Sequence, residues 1–166
     1  LLILTKFRLP RIATALMAGA ALPVCGLQMQ TLFRNPLAGP YVLGISSGAS
    51  FGAALVVLGA GATGIVATWS LAIAAWIGAG TVMLLLLFVS YRIKDVMTIL
   101  ILVIMFSSGL AAIISIMQYF SQASALKSFV IWSMGSLGNV TGAQLTFMAW
   151  AILPLLMLTL TYSKVL

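Results

Sequence analysis

Few residues in this chain have side chains that could carry out chemistry. Among 166 residues there is one acid, Asp95, and no histidine. General acid–base catalysis, a carboxylate metal site and a proton relay each need such groups in larger number. No serine has a histidine or a buried acid to activate it. We therefore predict that these residues are not an enzyme, bind no metal or cofactor, and form neither an intramembrane hydrolase nor a proton-coupled carrier.

The remaining reactive or charged side chains are one cysteine and eight basic residues. Cys25 lies in an apolar run, has no partner for an internal disulfide, and is predicted to be a small buried apolar side chain. Eight lysines and arginines against one acid give a net charge of +7. They are scattered between apolar segments, without a basic face or an aromatic platform, so nucleic-acid binding is not expected.

The elements that must position these residues are membrane helices. The chain is 63% hydrophobic and 5% charged, whereas soluble domains carry about 25% charged residues. A spanning helix needs roughly 20 apolar residues. Five segments without a charged residue meet this need, at 12–33, 41–60, 66–90, 97–120 and 145–162. Alternating strands are absent, so we predict an all-α, polytopic transmembrane helix bundle forming a single transmembrane domain over 1–166.

The connections between these spans are short. Asn35-Pro36 should end the first span, and Pro40 can open the next one. Residues 123–137 are predicted to form a short helix at the membrane surface or folded back into the protein, with a structureless loop as the alternative. Four basic residues fall on each side of the five spans, so the positive-inside rule leaves the orientation open.

Small residues recur at four-residue spacing. Gly44, Gly48 and Gly52 stand on one face of the predicted second span. The same spacing occurs in the first and third spans, at Ala15 and Gly19 and at Ala74 and Gly78. Without side chains the helix backbones approach closely, so these positions favour helix packing. The alternative is that the glycines let a helix slide or tilt beside a pathway.

Four motifs follow one another near the start of the chain. They are RLPR (8–11), ALMAGAAL (15–22), GLQMQ (26–30) and NPLAGPYVLGISSGASFG (35–52). In this order and spacing they resemble the signature region of bacterial ABC-importer permeases for iron chelates, haem and cobalamin. Residues 115–145 resemble the stretch between the fifth and sixth spans of the same family.

The resemblance implies a larger assembly. Such permeases have about ten spans and work as homodimers in the bacterial inner membrane, so this chain corresponds to spans two to six. An ATP-hydrolysing subunit binds ATP and Mg²⁺, and a periplasmic substrate-binding protein delivers an iron–siderophore, haem or cobalamin. The first span and the part after Leu166 would then be missing, and the start at Leu1 without a methionine also suggests a piece of a longer protein. Membrane lipid surrounds the bundle.

The resemblance also implies an orientation and a docking site. In the family RLPR faces the periplasm, and the NPLA turn faces the cytoplasm. Arg8 and Arg11 match the arginines that receive acidic residues of the binding protein. A guanidinium offers a planar fork of donors to a carboxylate, and a basic rim attracts an acidic partner. The alternative is that both arginines anchor a helix end at lipid headgroups.

Other positions match a family gate. Asn35 and Leu37 match a loop that narrows the cytoplasmic end of the pathway. Asp95, Val96 and Met97 occupy the place of a second such loop.

The predicted span 97–120 corresponds to the family helix that lines the pathway with its dimer mate. Ser107 and Ser108 are its candidate lining residues, and Gly44, Gly48 and Gly52 are expected to pack near the pathway. Many family members carry small residues early in this helix, whereas this chain has ILVIMF before Ser107.

A second function remains open from the residues alone. A membrane scaffold or assembly protein without transport would also have glycine packing faces and few ionisable residues. ATP-dependent uptake separates the two functions. The cargo is not specified by the sequence, although the QYF and IWSMGSL segments lean slightly towards iron–siderophore or haem members.

Overall fold

The computed structural model describes residues 8–36, 39, 44–59, 65–93, 95–135, 140 and 142–162, and this part of the chain is helical without a strand. The helices are α1 (Leu9–Phe33), α2 (Ile45–Ala54), α3 (Ile65–Arg92), α4 (Val96–Phe120), α5 (Ala123–Met134) and α6 (Gly142–Tyr162). A π-helical segment, Leu55–Gly59, continues α2. The all-α prediction is confirmed.

Two compact units make up the fold. One contains residues 1–38 and 136–166, and the other contains residues 39–135. In the first unit α1 and α6 pack against each other, and each has a proline inside it, Pro23 and Pro154. A proline removes one backbone hydrogen bond from its helix, so both helices carry a local weak point.

The end of α1 follows from its sequence. Arg34 takes the left-handed conformation with φ 48° and ψ 38°. Its N–H donates to the Thr31 carbonyl at 3.2 Å, and the Asn35 N–H donates to the Gln30 carbonyl at 3.1 Å. This pair of bonds closes the helix in a Schellman motif. The predicted stop before Asn35-Pro36 is where α1 ends. Cys25 of α1 is exposed, so the prediction that its side chain is buried is wrong.

The second unit is built around α2 and its π-helical continuation. Its buried core combines Ala53, Ala54 and Val57 with Ile114 of α4 and Phe129 of α5. Phe129 is only 3% exposed, and its ring lies 6.1 Å from that of Trp132. Residues 123–134 are therefore a helix folded back onto the bundle, and the structureless-loop alternative is wrong.

In the described part of the chain, four helices are long and apolar enough to cross a membrane. They cover Leu9–Thr31, Trp69–Arg92, Met97–Phe120 and Gly142–Thr159. The apolar helix Ile45–Gly59 is shorter; at 1.5 Å per residue it covers roughly 22 Å of a hydrocarbon core about 30 Å thick.

The helix in place of the predicted span 41–60 starts later than expected. It begins at Ile45, because Gly44 takes the left-handed conformation with φ 66° and ends the helix on that side. Gly44 therefore caps the helix instead of lying within it. Residues 40–43 and 60 lie outside the described residues, so the full extent of the predicted span stays a prediction.

Candidate functional site

Glycines bring α2 and α3 into direct contact. A Cβ atom added to Gly48 would lie 2.6 Å from the Gly78 carbonyl oxygen and 2.5 Å from Val82 Cγ2. A Cβ atom on Gly52 would overlap the Ala74 carbonyl oxygen, and one on Gly78 would overlap the Gly48 carbonyl oxygen. The two backbones thus touch directly, with no room for a side chain on either side.

The start of α2 is held against α4. A Cβ atom on Gly44 would overlap Ser107 Oγ and lie 3.3 Å from Val103 Cγ1. Glycine is therefore favoured at position 44 for two reasons. Its φ is positive, and the Ser107 hydroxyl occupies the space that a Cβ atom would need. The structure brings Gly44, Gly48 and Gly52 into contact with α3 and α4; their position beside a pathway stays a prediction.

A cleft of about 160 Å³ opens between α2, α3 and α4. Its wall is formed by two glycines, two phenylalanines, three aliphatic residues and one threonine: Gly48, Phe51, Gly78, Thr81, Val82, Leu85, Phe106 and Leu110. The Thr81 hydroxyl donates to the Ile77 carbonyl of its own helix. The cleft is thus apolar, and its one hydroxyl hydrogen is already bonded.

The two predicted pathway serines point in different directions. Ser108 is exposed, and its hydroxyl donates to the Ile104 carbonyl at 2.9 Å. Ser107 Oγ is buried and has no hydrogen-bond partner. Neighbours in a helix are separated by about 100°, so the pair cannot share one surface. Their role in lining a pathway stays a prediction.

The exposed face of α4 is apolar and includes methionine side chains. Met97 is 70% exposed and Met105 is 71% exposed. At the far end of the helix Tyr119 and Phe120 are also exposed, with their rings edge to face at 5.2 Å. A bare apolar face of this kind fits lipid or another protein surface.

Asp95 caps α4. Its carboxylate accepts a hydrogen bond from the Thr98 hydroxyl at 2.5 Å and from the Thr98 N–H at 2.9 Å. These two bonds, with the hydroxyl contributing most, hold the pKa of Asp95 below its ordinary value of 3.8. Val96 is the first residue of α4 and Met97 the second. The capping role of Asp95 is a structural one, and the predicted gate role of these three residues remains untested.

We expect this cap to make stability depend on pH. Because the folded pKa is lowered, the unfolded chain binds more protons, and the stabilisation is present above the unfolded pKa and is lost as pH falls through the folded one. Asp95→Asn keeps a good cap and should remove this pH dependence. Asp95→Ala should lower the thermal midpoint at neutral pH. Thermal unfolding of both variants and the parent protein at pH 7 and about pH 3 checks this, and equal midpoints for all three at pH 7 would contradict it.

The two predicted docking residues lie at the start of α1. Arg8 and Arg11 are both exposed. Just inside them the buried Thr14 hydroxyl donates to the Pro10 carbonyl at 2.7 Å. Asn35 is exposed at the other end of the same helix, roughly 37 Å away for 25 residues. Arg8 and Asn35 are thus far enough apart to reach opposite membrane surfaces. Leu37 lies outside the described residues.

Two features of this region were not predicted from the sequence. One is the pairing of Ala74 and Gly78 of α3 with Gly48 and Gly52 of α2, which the matching four-residue steps could have indicated. The other is the difference between Ser107 and Ser108, which no local pattern distinguishes. Among the described residues no three histidine, cysteine or acidic side chains gather to hold a metal ion.

The long apolar helices and glycine contacts define a polytopic α-helical membrane protein. The chain belongs to the FecCD transport family, whose sequence model matches residues 1–166. The predicted family resemblance is therefore confirmed.

The relatives of this chain are named for different transported substrates. The chain is 37% identical over 148 residues to the molybdate import system permease protein MolB of Haemophilus influenzae, covering 87% of this chain and 42% of MolB. It is 37% identical over 156 residues to the vitamin B12 import system permease protein BtuC of Klebsiella pneumoniae, covering 93% and 46%. It is 34% identical over 161 residues to the hemin transport system permease protein HmuU of Yersinia pestis, covering 96% and 48%.

A solved structure extends the likeness to three dimensions. An inward-facing structure of a metal-chelate type ABC transporter superposes with a TM-score of 0.88 at 29% identity, covering 98% of this chain and 51% of that one. The chain thus spans about half the length of the relatives it matches.

Proposed function

We propose that this chain is the N-terminal half of the membrane-spanning permease subunit of an ABC importer. The observation that carries the proposal is the match to the FecCD transport family along residues 1–166, supported by the TM-score of 0.88 to a metal-chelate type ABC transporter. ATP hydrolysis belongs to a partner subunit, and the permease works as a homodimer in the bacterial inner membrane.

The side chains support a passage that does not hold its cargo. The four span-length helices of the described chain carry no acid within their spans. On α4 the hydroxyls of Ser108 and Ser115 donate to carbonyls of their own helix. An exposed wall whose hydroxyl donors are already used binds a polar cargo weakly, so it favours release.

The proposed cargo is a bulky metal chelate of the iron–siderophore, haem or cobalamin kind. Relatives named for vitamin B12 and hemin support this class. Molybdate is the second candidate, favoured by the 37% identity to MolB. An uncharged apolar wall suits a large ring system better than a small hydrated anion, whose dehydration the wall does not offset.

Uptake by the purified system tests the proposal. The full-length permease, its ATPase and its binding protein are reconstituted in proteoliposomes, and labelled haem, cobalamin, ferric siderophore and molybdate are offered in turn. We expect one chelate to accumulate with ATP and not with a non-hydrolysable analogue. No ATP-dependent uptake of any of the four cargoes would favour the non-transporting scaffold.

We also propose that the turn after α1 forms a cytoplasmic gate, with Asn35 and Leu37 on it and Asp95, Val96 and Met97 on a second loop. In a full-length Cys25→Ser background, Asn35→Cys and Leu37→Cys should each crosslink across the homodimer in a closed nucleotide state. Thr161→Cys, at the exposed end of α6, serves as a comparison and should crosslink much less. Equal crosslinking at all three positions, or none in any nucleotide state, would contradict the gate.

A further inference from the structure

The contact between Gly44 and Ser107 buries a hydroxyl group that makes no hydrogen bond. Ser107 Oγ is buried and meets no hydrogen-bond partner, and it is the one such side-chain atom in the described part of the chain. A buried hydroxyl without a partner destabilises the arrangement that contains it. Such a group in a folded protein therefore calls for an explanation.

Two other serines of α4 make a hydrogen bond that Ser107 lacks. Ser108 donates to the Ile104 carbonyl and Ser115 to the Ala111 carbonyl, each four residues earlier at 2.9 Å. Ser107 has the equivalent carbonyl at Val103, but its Oγ occupies the space beside the Gly44 Cα instead. The difference is the neighbour, because the start of α2 packs on Ser107 and leaves the other two serines exposed.

We propose that Ser107 biases a movement of α2 against α4. With Gly44 packed on it the hydroxyl is unpaired, and when α2 moves away the hydroxyl turns to donate to the Val103 carbonyl. The unpaired hydroxyl thus disfavours the packed arrangement. Glycine at position 44 still permits that arrangement, because any side chain there would overlap Ser107 Oγ. The packed and open arrangements stay close in free energy, as a two-state element requires.

The inference rests on the proposed transport function, since a transporter needs two arrangements of its helices. It concerns residues other than the proposed docking and gate residues. Uptake and helix movement are separate measurements, so a failure of one is distinguishable from a failure of the other.

Distances between spin labels test the proposal in the full-length permease. Leu55→Cys and Met105→Cys place labels on exposed positions of the π segment and of α4, in a Cys25→Ser background. Ser107→Ala removes the unpaired hydroxyl and should raise the population of the packed arrangement roughly tenfold relative to the open one. Ser108→Ala is the matched control and should leave the distance distribution unchanged.

A change on the facing residue should act in the opposite direction. Gly44→Ala places a methyl group on Ser107 Oγ and should deplete the packed arrangement. In the double variant the added carbon lies 3.7 Å from the Cβ of residue 107, so Ser107→Ala should restore part of that population. A Ser107→Ala shift no larger than that of Ser108→Ala, with uptake intact, would overturn the inference while leaving the transport function standing.

Discussion

Replacing Gly78 with alanine is expected to separate α2 from α3 and to lower the free energy of unfolding by more than about 2 kcal/mol. The added methyl group would overlap the Gly48 carbonyl oxygen and lie 3.2 Å from the Gly52 Cα. Both neighbours are backbone atoms, which cannot rotate away as a flexible side chain can. The helices must therefore move apart and lose the dispersion contacts along the whole interface.

Gly80 provides the control on the same helix. A Cβ atom there meets nothing within 4 Å. Alanine is favoured over glycine in a helix by up to about 1 kcal/mol, so Gly80→Ala should be neutral or stabilising. The comparison uses unfolding of the full-length protein by SDS in mixed micelles. Equal shifts of the two variants would show that the α2–α3 contact is not the tight one described above.

Reversing the charge of Arg8 and Arg11 together is expected to weaken binding of the periplasmic binding protein by roughly a hundredfold or more. Both side chains lie at the exposed start of α1, where proposed acidic partners would meet two glutamates instead of two guanidinium groups. Like charges at close range repel, so the loss should exceed that from removing the arginines. Pull-down with the binding protein at low salt, repeated at high salt, measures it.

The matched control changes the same amount of charge at the other proposed surface. Arg34→Glu with Arg92→Glu also replaces two exposed arginines. Under the proposed orientation both face the cytoplasm, so docking should be unaffected. Unchanged affinity in the Arg8 and Arg11 variant would leave these residues as anchors at lipid headgroups. An equal loss in both variants would show a general charge effect and no docking site.

Helix positions were largely predictable because they depend on neighbouring residues. Asn35-Pro36 stops α1, and an apolar run free of charges predicts α4 to within one residue of its observed start at Val96. The described helix α2 begins at Ile45, inside the predicted span 41–60, whose first residues lie outside the described residues. Its actual start depends on the conformation of Gly44, which is held by contact with Ser107 from a distant helix.

The candidate site was predictable only in part. Spacing marked Gly48 and Gly52 as packing residues, but three helices carried the same small-residue step. In the structure Ala74 and Gly78 of α3 meet α2, whereas Gly19 of α1 has nothing within 4 Å of a Cβ atom. Helix packing brings together parts of the chain that are distant in sequence. The periodicity within one helix therefore cannot predict which other helix it contacts.

The class of protein and its long apolar helices could be inferred from the amino-acid sequence. These follow from composition and from local propensity, since 63% hydrophobic residues and a single acid leave few alternatives. Two features appear only in the folded chain: α2 lies backbone to backbone on α3, and Ser107 faces Gly44 while Ser108 faces outward. The physical reason is that both features are set by steric exclusion between helices, which appears only when the helices are packed together.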